Sequence, residues 1–598
     1  MKSSLCLIVS AALLAAVVMC LPALTTAQDS EAAISPAATA PAGAAVADGK
    51  FHVWLYWHTG LIADENVTKT IDMIKRMKKG GYTGLALLDN KQHRLDEQTP
   101  AYLANVKKVR AACTEQGLDF VATCLPLGYA NDMMTADPNL AAGIPVVDAP
   151  FIVKDGKIVP DDPVKLINPD FADHKDNKPA GWGLDVPGKG AYVDTKELYN
   201  GKPSIRMEDI KANGEFNHIR AFQTIKVKPF QNYHISVAAK TKDFKGTDNR
   251  LMALGTTGQH EGRIINVPEL TGLKPTSDWA VYHNTFNTQD CEQVAIYVGS
   301  WSGNTGTIWF ADVKIEPAGL TNMVRRPGAP FKATSLDGKT TYAEGKDLPE
   351  MKDPGLGKSP YRGGYQWHEG PKPQLPKTSS LKDGDKLLLS FYQTAFMCYG
   401  DQVPMCMGEP KGYEVIEKIV QSIAANAQPD YWFLEHDEIR LAGWCKACEG
   451  KTPGQMLADN ISKCHAMIKK ASPAVKGVFV WSDMFDPHHN AFAKDVGEPY
   501  FYVCKGKGPW NKSWEGLPKE MGLINWNSRK PASVKFFSEQ GHPQIFSGSD
   551  PAVMAEVLKA SGSGKGVTGV IYVTWSGDFG PNVEKFAQTA LNWKAQQK

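Results

Sequence analysis

The sequence lacks several features that identify common classes of protein. Its 66 Lys and Arg nearly balance 64 Asp and Glu, so the formal charge of +2 gives no reason to expect binding to nucleic acid. It contains no phosphate-binding glycine loop, no convincing nucleophilic serine and no multi-histidine motif. Beyond residue 27, no apolar run is long enough to span a membrane. We therefore predict no nucleic-acid partner, no membrane span beyond the N-terminus and no cofactor.

Cysteine is also scarce, with 11 in the chain and an odd number, nine, beyond residue 27. An odd number excludes complete internal pairing. Cys445 and Cys448 have the Cys-X-X-Cys spacing of metal ligands, and Cys464 and Cys504 lie downstream as possible partners. One such pair without a second is a weak zinc signal, and in an exported protein a disulfide fits equally well. We expect these two cysteines to be structural, clipping the loop after Glu438, and predict no catalytic metal.

The N-terminus has the pattern of a secretory signal peptide over residues 1–27. Lys2 precedes an apolar stretch from Leu5 to Leu24, and small residues end at Ala27. Residues 28–49 are rich in Ala, Pro, Ser and Asp without a core pattern, which predicts a disordered leader. The mature protein is therefore expected to be secreted or periplasmic.

The rest of the chain is too long for one hydrophobic core, and its patterning changes twice. Residues 50–150 alternate strand-like and helix-like segments, as do residues 385–598, which predicts parallel strands. Residues 160–318 instead carry short strand-like runs between Gly and Asn turns, the pattern of an all-β sandwich. Residues 319–384 are predicted to be a linker. The expected fold class is α/β, a (β/α)8 TIM-type barrel interrupted by a jelly-roll sandwich, although nine strand candidates compete for eight places.

Several predicted strands end in polar or aromatic residues. In barrel enzymes the chemistry lies at the carboxyl ends of the strands, so a set of such ends predicts a pocket. The residues that we expect to contact a substrate are His58, Asp89, Tyr392, His436, Trp481, Asp483, Trp526 and Trp575.

The run from Tyr431 to Arg440 is the most informative of these ends, because an apolar strand leads directly into three carboxylates, an imidazole and a guanidinium. Carboxylates with aromatic residues favour sugar chemistry, in which one carboxylic acid protonates the glycosidic oxygen. Glu438 is the expected acid. The late strand ends offer no Glu as a second catalytic group, which favours a substrate-assisted mechanism with Asp437 orienting the 2-acetamido group of the sugar.

Residues Phe433 to Glu438 resemble the strand-end motif of glycoside hydrolase family 20, the β-N-acetylhexosaminidases. The resemblance implies that Asp437 orients the amide, that Glu438 is the acid, and that Trp575 at the end of Tyr572-Val573-Thr574-Trp575 lines the pocket. It also implies exo action on an N-acetylhexosamine-type sugar. Glu435 and His436 depart from the family, which has small residues there, and our strand count puts the pair after the fifth strand where the family has it after the fourth.

Residues 166–171 and 309–316 are similar to the opening and closing segments of jelly-roll carbohydrate-binding modules. The similarity implies that the inserted sandwich binds sugar, with Trp301 in a Gly-rich turn as a contact, whereas Trp182 and Trp309 are expected in the core.

Two alternatives remain open from the residues alone. Asp483, Asp486 and His488 have the side chains of a metal site, which would suit a metal-dependent hydrolase or deacetylase. A non-catalytic carbohydrate-binding protein would also use the aromatic residues. In each of the sugar hypotheses the partner is an oligo- or polysaccharide.

Overall fold

The structure is a computed structural model that describes residues 49–94, 98–214, 217–246, 248–256, 263–301, 305–359, 364–394, 402–491, 505–561, 566–575 and 577–597. The predicted signal peptide and nearly all of the predicted leader lie outside these ranges. In the described part of the chain, none of the helices has the length and apolar character needed to cross a membrane.

Eight parallel strands close into a barrel in the order in which they occur in the chain. The last strand pairs with the first, with Tyr572 opposite Leu55, so the barrel has no free edge. The predicted closed, eight-stranded parallel barrel is therefore confirmed. Its strands are β1 His52–His58, β2 Gly84–Leu88, β3 Asp119–Cys124, β4 Tyr431–Leu434, β5 Gly477–Trp481, β6 Gly522–Asn525, β7 Gln544–Gly548 and β8 Val567–Tyr572.

Helices surround the barrel. Five of them begin with proline in the first turn, where its missing N–H costs no hydrogen bond and its fixed φ suits the helix. The 3-10 turn Ser513–Gly516 lies between β5 and β6. The helices are α1 Asp64–Gly80, α2 Pro100–Glu115, α3 Pro410–Ala427, α4 Pro453–Ala471, α5 Pro531–Glu539, α6 Pro551–Ala560 and α7 Asn582–Gln596.

The barrel strands bury both of their faces, which is why they are almost continuously apolar. Inward residues such as Phe433 and Trp481 fill the barrel interior. Outward residues such as Trp432 and Leu434 pack under the helices in a second, larger core. Side-chain alternation along each strand therefore decides whether a residue beyond the strand end faces the barrel mouth or the helices.

An all-β region is inserted between β3 and α3. Two antiparallel sheets of five strands share one hydrophobic core, and Trp182 and Trp309 lie buried in this region as predicted. Trp301 is only 5% exposed, so it does not offer the surface contact that the sequence predicted. The jelly-roll connectivity stays a prediction. The strands are Ser277–Asn287, Asn232–Lys245, Thr305–Pro317, Lys202–Glu208 and Ala191–Tyr199 in one sheet, and Arg263–Asn266, Asn249–Gly255, Gln293–Ser300, Ile219–Lys226 and Gly183–Leu184 in the other.

A third antiparallel sheet corrects the strand count. Leu387 to Phe391 is one of the nine strand candidates that the sequence predicted for the barrel. In the structure it belongs to the strand Lys386–Gln393, which pairs instead with Ile144–Lys154. The sheet also contains Lys157–Pro160, Met323–Val324 and Lys332–Ser335. With the surplus strand removed from the barrel, Asp437 and Glu438 follow the fourth barrel strand and not the fifth.

The predicted linker over residues 319–384 is a packed part of the insertion. Leu320, Met351 and Leu381 are buried in a core that they share with the third sheet. Trp367 from this segment stacks on the imidazoles of His234 and His283, with ring centroids 4.2 and 4.1 Å away. These contacts attach the segment to the sandwich.

Candidate active site

Side chains continue to alternate beyond the end of β4. Glu435 faces the barrel interior, where it meets the inward-pointing Tyr56 of β1. His436 points the opposite way and its Nε2 lies 3.0 Å from Oδ1 of Asn460 on α4. Asp437 faces the interior again, where its charge interacts with that of Glu435. The strand therefore delivers two carboxyl groups to the barrel mouth.

Glu435 lies at the base of this group and is 4% exposed. The hydroxyl of Tyr56 donates a hydrogen bond of 2.5 Å to its Oε1. Burial raises the pKa of Glu435 to about 7, and the hydrogen bond from Tyr56 acts in the opposite direction. This carboxyl group consequently titrates near neutral pH.

Asp437 and Asp483 complete a cluster of acids. Asp483 is 3% exposed, and its Oδ2 accepts hydrogen bonds from the Glu438 N–H at 3.2 Å and from Nδ2 of Asn490 at 3.0 Å. Burial raises the pKa of Asp483 to about 7. The pKa of Asp437 lies well above its usual value because of burial first and then the neighbouring charges of Glu435 and Asp483. The cluster therefore holds protons at neutral pH.

Glu438 has different surroundings, although it is the next residue in the chain. Its Oε2 accepts hydrogen bonds from the hydroxyl of Tyr129 at 2.5 Å, from Nε2 of Gln402 at 2.9 Å and from the guanidinium of Arg440 at 2.9 Å. The side chain is 13% exposed. Oε2 of Glu438 therefore accepts from three donors, one of which is charged, and these hydrogen bonds fix the position of the side chain.

The backbone at the pair is constrained. Glu438 has a φ of 45°, a left-handed conformation that non-glycine residues seldom adopt. The loop after β3 packs against it so closely that a Cβ on Gly128 would come within 2.2 Å of the Asp437 carbonyl oxygen. Glycine at position 128 is therefore required for this approach, and the loop that carries Tyr129 is held next to the pair.

Aromatic rings line the barrel mouth beside the acids. The rings of Trp526 and Trp575 lie 6.0 Å apart, and Trp481 lies 5.7 Å from Trp526 in an edge-to-face arrangement. Tyr56 lies 5.6 Å from Trp575. Trp526 and Trp575 are partly exposed, so the structure brings together three predicted pocket tryptophans beside the predicted acids.

Asp89 and His436 do not lie in the pocket, contrary to our prediction. Asp89 is 1% exposed and caps a turn, with Oδ2 accepting from the Leu61 N–H at 2.7 Å and Oδ1 from the Lys91 N–H at 2.9 Å. The imidazole of His436 is buried on the helix side of the barrel, where burial lowers its pKa to about 4. Both residues occupy outward positions in the alternation of their strands, which the sequence prediction did not take into account.

Tyr392 is also misplaced by the sequence prediction, because its strand belongs to the antiparallel sheet. It lies opposite Pro145, and its phenol interacts with the thiols of Cys445 and Cys448. His58 ends β1 and is exposed at the rim, where it interacts with the charge of Asp132.

Five residues that contact the acidic side chains, or are part of the acidic cluster, are absent from the site that the sequence predicted. Tyr56 could have been found, since it precedes His58 by two residues and so shares its inward face. The position of Glu435 follows from the same alternation. Arg440 lies two residues after Glu438, in the run of charged residues that the sequence singled out. Nothing in the sequence links Tyr129 or Gln402 to Glu438, because they reach it from loops on either side of the insertion.

The alternative metal site is not assembled. Asp486 is buried and its Oδ2 accepts a hydrogen bond of 2.6 Å from the Ser533 hydroxyl, while His488 is exposed. Within the described ranges, the single grouping of three or more potential metal ligands lies elsewhere, at Cys406, Cys445 and Cys448. Cys464 is apart from it on α4, and Cys504 lies outside the described residues.

No family model matches the chain, and no curated protein matches it. Among solved structures, a CBM4 structure is 20% identical over 28% of this chain and 99% of its own, with a TM-score of 0.18. The CBM22-1 xylan-binding domain from Paenibacillus barcinonensis is 12% identical over 26% and 92%, with a TM-score of 0.19. A rhamnosidase from Novosphingobium sp. PP1Y is 10% identical over 88% and 55%, with a TM-score of 0.28. Scores this low carry no argument about function.

Proposed function

We propose that the protein is an exported glycoside hydrolase that removes an N-acetylhexosamine-type or related sugar from the end of a glycan. The observation that carries the proposal is the pair Asp437 and Glu438 at the end of β4. The two carboxyl groups are adjacent and partly accessible, yet one lies among acids and the other is held by a guanidinium. Carboxyl groups with contrasting environments are what an acid and a charged partner require.

Asp437 has the properties of the acid. A general acid must keep its proton at the working pH, and the pKa of Asp437 is raised well above its usual value. Glu435 and Asp483 also have raised pKa values, but they are almost fully buried and cannot reach a glycosidic oxygen as readily. Their role is to keep Asp437 protonated.

Glu438 has the properties of the charged partner. In the described part of the chain, the donors Tyr129, Gln402 and Arg440 all contact Oε2, so Oε1 is the oxygen for a substrate. From there a carboxylate can accept the N–H of a 2-acetamido group or stabilise the oxocarbenium-like centre. This assignment is the reverse of our expectation from the sequence, which the family 20 resemblance also implies, that Glu438 is the acid and Asp437 orients the acetamido group.

The leaving-group dependence of hydrolysis distinguishes the two assignments. We would assay Asp437→Asn and Glu438→Gln on aryl glycosides, with and without the acetamido group, whose phenols range from weakly to strongly acidic. Without its acid, the enzyme should lose about 10²–10⁴-fold in kcat/KM on poor leaving groups but little on dinitrophenyl glycosides. We expect this for Asp437→Asn, whereas Glu438→Gln should lose activity on every substrate.

Asp89→Asn is the matched control, because Asp89 is a strand-end carboxylate outside the pocket. If Glu438→Gln is the variant that spares dinitrophenyl glycosides, Glu438 is the acid. If only sugars without the acetamido group are cleaved, the substrate-assisted mechanism is excluded. Binding of glycans without any turnover would replace the hydrolase by a carbohydrate receptor.

A further inference from the structure

Three buried cysteines meet beside the loops that hold Glu438. Sγ of Cys406 lies 3.4 Å from Sγ of Cys445 and 3.6 Å from Sγ of Cys448, and the last two are 3.4 Å apart. All three side chains are at most 4% exposed. The three sulfurs thus form a nearly equilateral triangle.

This triangle has the size of a thiolate metal site. Zinc binds cysteine sulfur at about 2.3 Å, so tetrahedral geometry separates two sulfur ligands by about 3.8 Å. One disulfide would join two of the sulfurs and leave the third without a role. We propose that Cys406, Cys445 and Cys448 bind a zinc ion through three thiolates, with water or another small ligand in the fourth position.

The surroundings favour thiolates. The guanidinium of Arg326 lies 3.6 Å from Sγ of Cys445 and is itself 5% exposed. It also forms an ion pair of 3.2 Å with Glu409. A buried cation beside sulfur stabilises the deprotonated form that a metal requires.

The backbone is arranged to bring the sulfurs together. The turn Lys446–Cys448 folds back so that the Cys448 N–H donates to the Cys445 carbonyl at 2.9 Å. A Cβ on Gly408 would lie 2.7 Å from Sγ of Cys448, so a larger residue there would displace the sulfur. The segment that carries Cys406 therefore packs directly on the Cys-X-X-Cys turn.

The site connects two segments that position the catalytic pair. Gln402 precedes Cys406 by four residues and Arg440 precedes Cys445 by five, and both donate to Oε2 of Glu438. A metal bound to the cysteines would fix both segments together. The ion therefore has a structural role: it positions the segments that carry Gln402 and Arg440 where the chain returns from the insertion to the barrel. The cysteines do not take part in the proposed reaction.

Metal analysis of the purified full-length protein tests the site without reference to activity. We expect stoichiometric zinc in the wild type, and loss of most of it in Cys406→Ser, Cys445→Ser and Cys448→Ser. Cys464→Ser is the matched control, because Cys464 is also fully buried but lies apart on α4. It should keep its zinc.

A second measurement uses only the wild type, in case the variants fail to fold. After zinc is removed with a chelator, addition of Co²⁺ should produce an intense sulfur-to-cobalt charge-transfer band, which is lost when an organomercurial blocks the thiols. Thiols are then counted in denaturant without reductant. Absence of metal together with two of the three cysteines oxidised would overturn the proposal in favour of a disulfide. Neither result depends on whether the protein hydrolyses glycosides.

Discussion

Buried carboxylates have different partners in the sandwich and in the barrel. In the sandwich, Asp248 forms an ion pair with Arg250, and both side chains are 1% exposed. Burial raises the pKa of Asp248 to about 6, but the guanidinium opposes that shift. In the barrel, Glu435 accepts a hydrogen bond from the neutral hydroxyl of Tyr56, and its charge interacts with that of the acidic Asp437.

Under the proposed function, the difference is the one between a structural charge and a catalytic group. A buried charge in the protein core needs an oppositely charged partner, because a buried charge without one would destabilise the fold by several kcal/mol. A group of acids without a guanidinium reduces stability at neutral pH, and such groups concentrate where a raised pKa is used for catalysis. Removing a charge should therefore have opposite effects in the two regions.

The largest effect is expected in the sandwich. Asp248→Asn removes the nearer of the two carboxylates that pair with the buried guanidinium of Arg250 and leaves Glu269 at 3.5 Å, which should destabilise the protein by about 3 kcal/mol. Calorimetry should show a lower unfolding temperature, and the activity proposed for Asp437 and Glu438 should be unchanged in an assay at low temperature. Asp278→Asn is the control, because that carboxylate is 85% exposed. An unchanged unfolding temperature for Asp248→Asn would remove the contrast between the regions.

In the barrel we expect the opposite sign. The pKa of Glu435 is about 7 in the folded protein and near its usual value of 4.5 when unfolded, so the folded state binds more protons between these values. The contribution of Glu435 to the free energy of unfolding is therefore most favourable below about pH 4.5, and it falls by about 3 kcal/mol as the pH rises to about 7. Glu435→Gln should raise the unfolding temperature at pH 7.5 and flatten its decrease with pH. A steeper decrease in the variant would contradict this account.

The sequence predicted the closed barrel and the inserted all-β region because hydrophobic patterning is a local signal. It failed on Leu387 to Phe391, since a strand in an antiparallel sheet and a barrel strand have the same local pattern, and only pairing separates them. Asp437 and Glu438 could be found because they lie three and four residues after the last residue of β4, Leu434. Their partners Tyr129 and Gln402 could not, since they converge on Glu438 from opposite sides of the insertion.

The aromatic residues should show a smaller effect that is confined to binding. Trp575→Ala and Trp526→Ala remove partly exposed rings that lie 6.0 Å apart beside the acids. Loss of one stacking surface should cost about 1–2 kcal/mol, or about tenfold in KM, with a smaller change in kcat. Trp279→Ala on the sandwich is the control. A fall in kcat at unchanged KM would mean that the rings position the acids and do not hold the sugar.

The smallest effect is expected at Asp89, and it separates strand-end position from function. The carboxylate of Asp89 caps the turn Asn90–His93 and accepts the Leu61 N–H, so it contributes to stability and not to the pocket. Asp89→Ala should lower the free energy of unfolding by about 1 kcal/mol, the usual value for a lost cap, and leave kcat/KM unchanged. A loss of activity comparable with that of Trp575→Ala would show that Asp89 reaches the substrate after all. If instead only stability changes, a position at a strand end is not sufficient for a residue to be part of this site. Its side chain must also face the barrel interior.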